Sequence, residues 1–416
     1  MLKILLHPSQ IVTVNTNAIN YKRGSSLKNL DVLSDHSLII ENKIIKDLVT
    51  NSEAEKLRNK ADEIINIQDK VILPGLVECH THSAFTGSRA NEFMERLKGK
   101  SYEEIALEGG GINTTVQSVR SSSSEEIYKN TLRTINYFIS QGITTLEIKS
   151  GYGLDFANEI KLLEVINNLK NTCPIDIIPT FLGAHNYPKE YKDKHELYLS
   201  EINDKMLPYI AKAKLAQFCD GFCEATAFSA EEINSIFFKA RNLGFNLRLH
   251  TEQFNNIGGL ETALRRSAIS VDHLEVLKEN QIDLLKGKDV VCVLLPGVSF
   301  FLNYQYAPAR KLIDNNLIVA LSTDYNPGTS PISNLHLIMS LAALKMNMTI
   351  EETISAVTIN AAKALKLNDT TGSIEIGKSA DFAVFDTADY AEIAYNISRN
   401  LNYMTIKDGS IIYKAE

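Results

Sequence analysis

Eight short apolar runs, most of them separated by an amphipathic stretch, constrain the fold of this chain more than any other feature. They occupy residues 71–77, 143–148, 175–181, 218–223, 246–249, 268–271, 290–295 and 318–321. Between them, residues 124–141, 157–171, 230–243 and 257–265 carry apolar side chains at helical spacing. Strand then helix, repeated eight times over about 250 residues, predicts an α/β fold of the (β/α)₈ TIM-barrel type. No short sequence repeat suggests a solenoid.

The two ends read differently. Leu38-Ile39-Ile40 and Lys43-Ile44-Ile45 flank Glu41-Asn42, which predicts a hairpin. Near the C-terminus, residues 381–385 and 404–413 alternate as strands, with Asp408-Gly409 as turn residues. Residues 1–70 and 360–416 are therefore expected to form one small β-sandwich-like domain around a barrel of residues 71–359. Gly109-Gly110-Gly111 and Ser121–Ser124 fall in a long connection after the first strand, as loop or helix-cap material.

Composition excludes several function classes. Lys plus Arg is 43 and Asp plus Glu is 50, a net charge of −7, so nothing global favours nucleic acid. No apolar run reaches the ~18 residues of a membrane span. The apolar start is broken at Pro8-Ser9-Gln10 and lacks a cleavage site, so no signal peptide is expected and a cytoplasmic location follows. The cysteines, Cys79, Cys173, Cys219, Cys223 and Cys292, are odd in number and form no Cys-x-x-Cys pair. They read as reduced thiols.

The chemistry gathers at strand ends. The first run leads into His80-Thr81-His82, and residues i and i+2 of an extended segment point to one side. Two imidazoles placed so can grip a cation; taken alone, they read equally well as ordinary polar histidines. The fifth run ends in His250, the sixth in Asp272-His273 and the eighth leads to Asp324. Four of nine histidines thus fall where barrel enzymes keep their active sites. His7, His36, His195 and His336 read as surface positions.

This pattern resembles the amidohydrolase superfamily, and within it the imidazolonepropionase family. The family resemblance runs through most of the chain: residues 80–89, 109–112, Lys149-Ser-Gly-Tyr-Gly-Leu154, Thr180-Phe-Leu-Gly-Ala-His185, His250-Thr-Glu-Gln-Phe254, Asp272-His-Leu-Glu275, Leu294-Leu-Pro-Gly297 and Thr323-Asp-Tyr-Asn-Pro-Gly328. It implies hydrolysis of the ring amide of 4-imidazolone-5-propanoate to N-formimidoyl-L-glutamate. It also implies one divalent or trivalent metal ion per subunit, zinc or iron, held by His80, His82, His250 and Asp324. The fourth strand offers Asp220 to Glu224 and no lysine to bridge two metals, so a single ion is expected; Glu224 is the one candidate bridge.

Further roles follow as expectations. Glu252, two residues past His250, is expected to contact substrate and to act as general base and acid, against the plainer reading of a solvated loop carboxylate. His273 is expected to hydrogen-bond the water or the oxyanion, and Asp324 to relay a proton. Arg89 suits the substrate propionate, since a guanidinium pairs with a carboxylate through two hydrogen bonds; a surface arginine is the alternative. Tyr152 and His185 are expected beside the ring, while Asn326, Gly328 and Thr329 contact substrate or product by resemblance. The resemblance alone implies a homodimer acting on a small molecule. The rival readings are a superfamily deaminase of a purine- or cytosine-like ring, and a metal-free assembly protein on the same scaffold.

Overall fold

The computed structural model describes residues 1–100, 104 and 110–416. Eight parallel strands form one sheet in sequence order: Leu76–Glu78, Ile143–Lys149, Asp176–Ala184, Phe218–Cys223, Asn246–Thr251, Ser270–His273, Val291–Leu294 and Ile318–Leu321. The first and last strands meet through a parallel bridge between Thr81 and Tyr325. There Asp324 N–H donates to the His80 carbonyl (3.1 Å) and His82 N–H to the Tyr325 carbonyl (2.9 Å). The closed sheet is the expected barrel, and its seam lies beside the strand-end histidines.

Helices wrap the sheet where the apolar spacing placed them. Ser124–Ile139, Phe156–Thr172 and Ala230–Asn242 begin at Ser123, Asp155 and Ser229, whose side chains accept from the backbone N–H three residues on. Each buries an apolar face against the strands, as Ile127, Ile135 and Phe138 do on the first of them. The run 257–265 becomes a helix only from Gly259, because Gly258 sits at φ +92. Gly111, at φ +71, caps a helix over Ile112–Ser121, while Gly109 lies outside the described residues.

The run 71–77 is not one strand. Val71–Pro74 pairs with Phe382–Phe385 in a terminal sheet, and Leu76–Glu78 starts the barrel. The switch takes one residue: Gly75 N–H donates to Asp381 O (2.8 Å) and Leu76 N–H to Gly142 O (2.9 Å). A period of apolar residues cannot distinguish two sheets, but the glycine marks the crossing, since a Cβ there would overlap the Thr144 side chain.

Both termini share the flanking β structure. A six-stranded sheet joins Gln10–Val12, Val32–Leu33 and Val71–Pro74 to Phe382–Phe385, Asn402–Lys407 and Ser410–Lys414. A four-stranded sheet contains the hairpin His36–Glu41 with Ile44–Thr50. Leu5, Leu38 and Ile40 from one sheet pack with Ile72, Phe382 and Met404 from the other. Asn42 and Asp408 turn at φ +60 and +51. The five cysteines are free thiols, four of them buried. Among the described residues no helix is long and apolar enough to cross a membrane. His336 departs from its expected surface place: it is buried on the apolar helix Leu335–Met346, and a ring nitrogen donates to Gln141 O (3.0 Å).

The crossing yields a test. Gly75→Ala forces a methyl against Thr144 and should lower stability by about 1–3 kcal/mol. A urea titration should show a reduced midpoint, and Thr144→Ala in the same chain should recover part of the loss.

Candidate active site

Three imidazoles converge at the C-terminal ends of the first and fifth strands. One ligand atom from each of His80, His82 and His250 can be chosen within 4.8 Å of the others, and all three side chains are buried. His82 Nε2 lies 3.3 Å from His250 Nε2. Asp324 Oδ1 lies 3.3 Å from His80 Nε2 and 3.2 Å from His82 Nε2.

Carboxylates fix which nitrogen faces inward. His80 Nδ1 donates to Asp272 Oδ2 at 2.6 Å, and His250 Nδ1 donates to Asp220 Oδ1 at 3.0 Å. Each Nε2 then carries a lone pair toward the centre. His80 Nε2 and Asp324 Oδ1 are buried without a hydrogen-bond partner among the described residues. Converging imidazole nitrogens and a carboxylate oxygen fit a cation. Burial holds His80 and His82 well below the usual imidazole range and His250 at about 4, so all three favour the neutral ligand form. Burial also pushes the Asp324 carboxyl up to about 6, against the pull of His273, His250 and Lys149.

Beneath the histidines lies a buried charged layer. Lys149 Nζ contacts Glu147 Oε1 and Asp220 Oδ2, each at 2.9 Å, and Arg248 Nη2 contacts Asp272 Oδ2 at 2.8 Å. Burial opposes the Asp220 charge, yet His250 and Lys149 hold it well below the usual carboxylate range. Glu78, which receives Ser322 Oγ and Thr323 N–H, is pushed by burial up to about 8.

A cavity of about 800 Å³ opens above this layer, and His82, His250, His273 and Asp324 form its floor. Tyr152 and His185 line one side. The His185 ring stacks on His82, with centroids 5.0 Å apart, and its Nδ1 donates to Gly151 O (2.8 Å), leaving Nε2 as an acceptor. Burial lowers His185 to about 3, which keeps it neutral. Arg89, Asn326 and Thr329 line the other side. The Arg89 guanidinium lies against Gly328, where a Cβ would overlap Nη1. Asn326 Oδ1 accepts from Gly328 N–H (2.8 Å) and Thr329 N–H (2.7 Å), so these residues form one compact turn.

The amidohydrolase family profile matches residues 71–412. The chain is 40% identical over 412 residues to the imidazolonepropionase of Clostridium tetani, covering 99% of this chain and 98% of the relative. It is 46% identical over 340 residues to that of Caldanaerobacter subterraneus, covering 82% of each. The chain belongs to the imidazolonepropionase family. It is therefore a hydrolase of the amidohydrolase type. Its fold is similar to E. coli guanine deaminase, with a TM-score of 0.73 at 15% identity over all of both chains. A zinc-bound adenosine deaminase of Xanthomonas campestris gives a TM-score of 0.72 at 17% identity, over 98% of this chain and 92% of that one. These two likenesses show the fold alone.

Within this imidazolonepropionase scaffold, Glu252 follows the fifth strand and is buried. It sits at φ +51, and its carboxylate accepts from Thr251 Oγ1 and from Leu260 N–H (3.3 Å). The strand ends at Thr251 and the backbone turns, and the next residue, Gln253, lines the cavity. Glu224, the candidate bridge, accepts from Ala225, Phe254 and Asn255 N–H groups at 2.8, 3.0 and 3.1 Å. Its oxygens thus organise loops rather than face the histidines. His273, at φ +88, lines the floor with Nδ1 3.5 Å from Glu275 Oε1.

The sequence reading did not assign roles to Asp220, Asp272, Lys149, Glu92 or Gln253. Asp272 and Lys149 stand inside the family-like segments, so a search for an acidic partner to each histidine could have found the first. Removing the partner tests its part in metal holding. Asp272→Asn should weaken zinc binding by about 10–100-fold, measured by chelator competition. His80→Ala should lose nearly all bound metal by elemental analysis.

Proposed function

We propose that this chain opens the ring amide of 4-imidazolone-5-propanoate by hydrolysis, giving N-formimidoyl-L-glutamate in L-histidine degradation. The observation that carries the reading is one cavity lined by His82 and His250 of the three-histidine cluster together with Asp324 and Arg89. It suits a flat polar ring with a carboxylate arm. One divalent or trivalent cation per subunit, zinc or iron, would polarise the ring carbonyl and make water acidic enough to attack near neutral pH.

His80, His82, His250 and Asp324 are assigned to hold that ion. As water adds to the ring carbonyl carbon, Glu252 is assigned to take its proton and return it to the departing ring nitrogen, with Asp324 as a relay. The carbon–nitrogen bond breaks, the water oxygen stays in the new carboxylate, and the nitrogen leaves as N–H. His273 donates to the carbonyl oxygen as charge builds there, and Glu275 steadies its ring. Arg89 pairs with the propionate, while Asn326, Gly328 and Thr329 shape the wall beside it. Tyr152, His185 and Gln253 contact the ring. Glu252 stands two residues past His250, just beyond the fifth strand and beside Gln253, which lines the cavity. On this reading the protein works in the cytoplasm as a homodimer on a small molecule, without nucleic acid or membrane.

Incubation of metal-loaded protein with imidazolonepropionate should remove the substrate's ultraviolet absorbance without releasing ammonia. Unchanged absorbance, with ammonia released from a purine or cytosine, would establish the deaminase reading instead. Arg89→Met should lower kcat/KM by roughly 10–200-fold, since a hydrogen bond to a charged group contributes ~1.5–3 kcal/mol. An analogue with an uncharged chain should show little further loss in that variant.

A further inference from the structure

We infer that Glu92 is a positioning residue: it sets the plane of the Arg89 guanidinium for the substrate carboxylate and ties that clamp to the loop before the helix Ile112–Ser121. The inference rests on the reading of Arg89 proposed above. Glu92 itself is assigned no contact with substrate.

Geometry supports each part. Arg89 caps the helix Ala90–Leu97, and Glu92 stands in its first turn, three residues on. Side chains at that spacing lie on one helix face. Glu92 Oε2 accepts from Arg89 Nε at 2.7 Å, with the two side chains only 8% and 16% exposed for Arg89 and Glu92. An ion pair so shielded from water is screened less than a surface pair. The other carboxylate oxygen, Oε1, accepts from Gly111 N–H (3.1 Å) and Thr114 Oγ1 (2.9 Å).

The guanidinium is thus held between a carboxylate and a bare stretch of backbone. Nε is bound to Glu92, and Nη1 lies over Gly328 with no room for a side chain. A guanidinium is planar, so fixing Nε on one side and the Nη1 contact on another fixes the orientation of the whole group. The second carboxylate oxygen gives this a structural anchor. Gly110, Gly111, Ile112 and Asn113 line the same cavity as Arg89, so Glu92 joins two of its walls. A free arginine side chain would have to lose its rotamer entropy on binding substrate; here that ordering is done beforehand.

The test is a double-mutant cycle on the metal-loaded enzyme with 4-imidazolone-5-propanoate and an analogue whose propionate is replaced by an uncharged chain. Glu92→Gln keeps the size and removes the charge. It should raise KM for the natural substrate about tenfold with kcat changed less than about twofold, and leave the analogue unaffected. Arg89→Met with Glu92→Gln should do no worse than Arg89→Met alone. Thr114→Val, which leaves the Arg89 bond in place, should change KM less than about twofold. If Glu92→Gln yields too little folded protein, Glu92→Asp should give the same selective rise in KM. Equal losses on both substrates, or losses that multiply in the double variant, would make Glu92 a structural residue and overturn the inference. Glu92→Gln without effect while Arg89→Met raises KM would overturn the coupling alone. Arg89→Met without effect would overturn the clamp itself.

Discussion

Two buried imidazole–carboxylate pairs, Asp272 with His80 and Asp220 with His250, are what the working end of this barrel depends on. Each pair selects the tautomer that presents Nε2 to the centre. The carboxylates are themselves expensive to bury, and Arg248 and Lys149 offset that cost from the layer below. The cations sit on the second and fifth strands and the carboxylates on the fourth and sixth, so the parallel register of the sheet sets the geometry of the histidines. Loss of one member would leave an uncompensated buried charge, typically destabilising by ~3–5 kcal/mol. Structural integrity and the orientation of the histidines therefore rest on the same residues.

Strain collects directly above that layer. Glu252, His273, Leu274 and Asp324 all have positive φ, at +51, +88, +72 and +51. Such conformations cost on the order of 1–3 kcal/mol each for residues other than glycine. They persist because the strands on either side are hydrogen-bonded on both edges and cannot relax. Each lies at or just past a strand end. There the strained turns place His273 and Asp324 at the cavity, and the one at Glu252 brings in Gln253.

That turn explains what the sequence could and could not disclose. Strand positions were legible because an apolar run between amphipathic helices has few other uses; the fourth and eighth strands begin and end where the runs do. The histidine cluster was legible because strand ends are a small set of places. Gln253 was passed over because alternation holds only along the strand, and the positive φ at Glu252 just beyond it resets the direction. Asp220 and Asp272 stood in plain view, but their partners lie 30 and 192 residues away, a pairing that only the assembled sheet creates. His336 looked like a surface residue because a lone histidine carries no pattern, whereas its helix is buried along most of its length.

The loop after the eighth strand links the two ends of the cavity. Asn326 Nδ2 donates to Asp324 Oδ2 (3.1 Å), holding the carboxylate whose other oxygen faces His80 and His82. Asn326 Oδ1 meanwhile gathers the amides of Gly328 and Thr329, and Gly328 is the surface on which Arg89 rests. One side chain thus sets both the floor at the histidines and the seat of the guanidinium. The separation between them is then a property of a short, internally hydrogen-bonded turn rather than of a long flexible arm. A ligand that must reach both ends at once is selected by length as well as charge. A net-acidic chain thus carries one local guanidinium, shielded from water and seated at a fixed separation from the histidines.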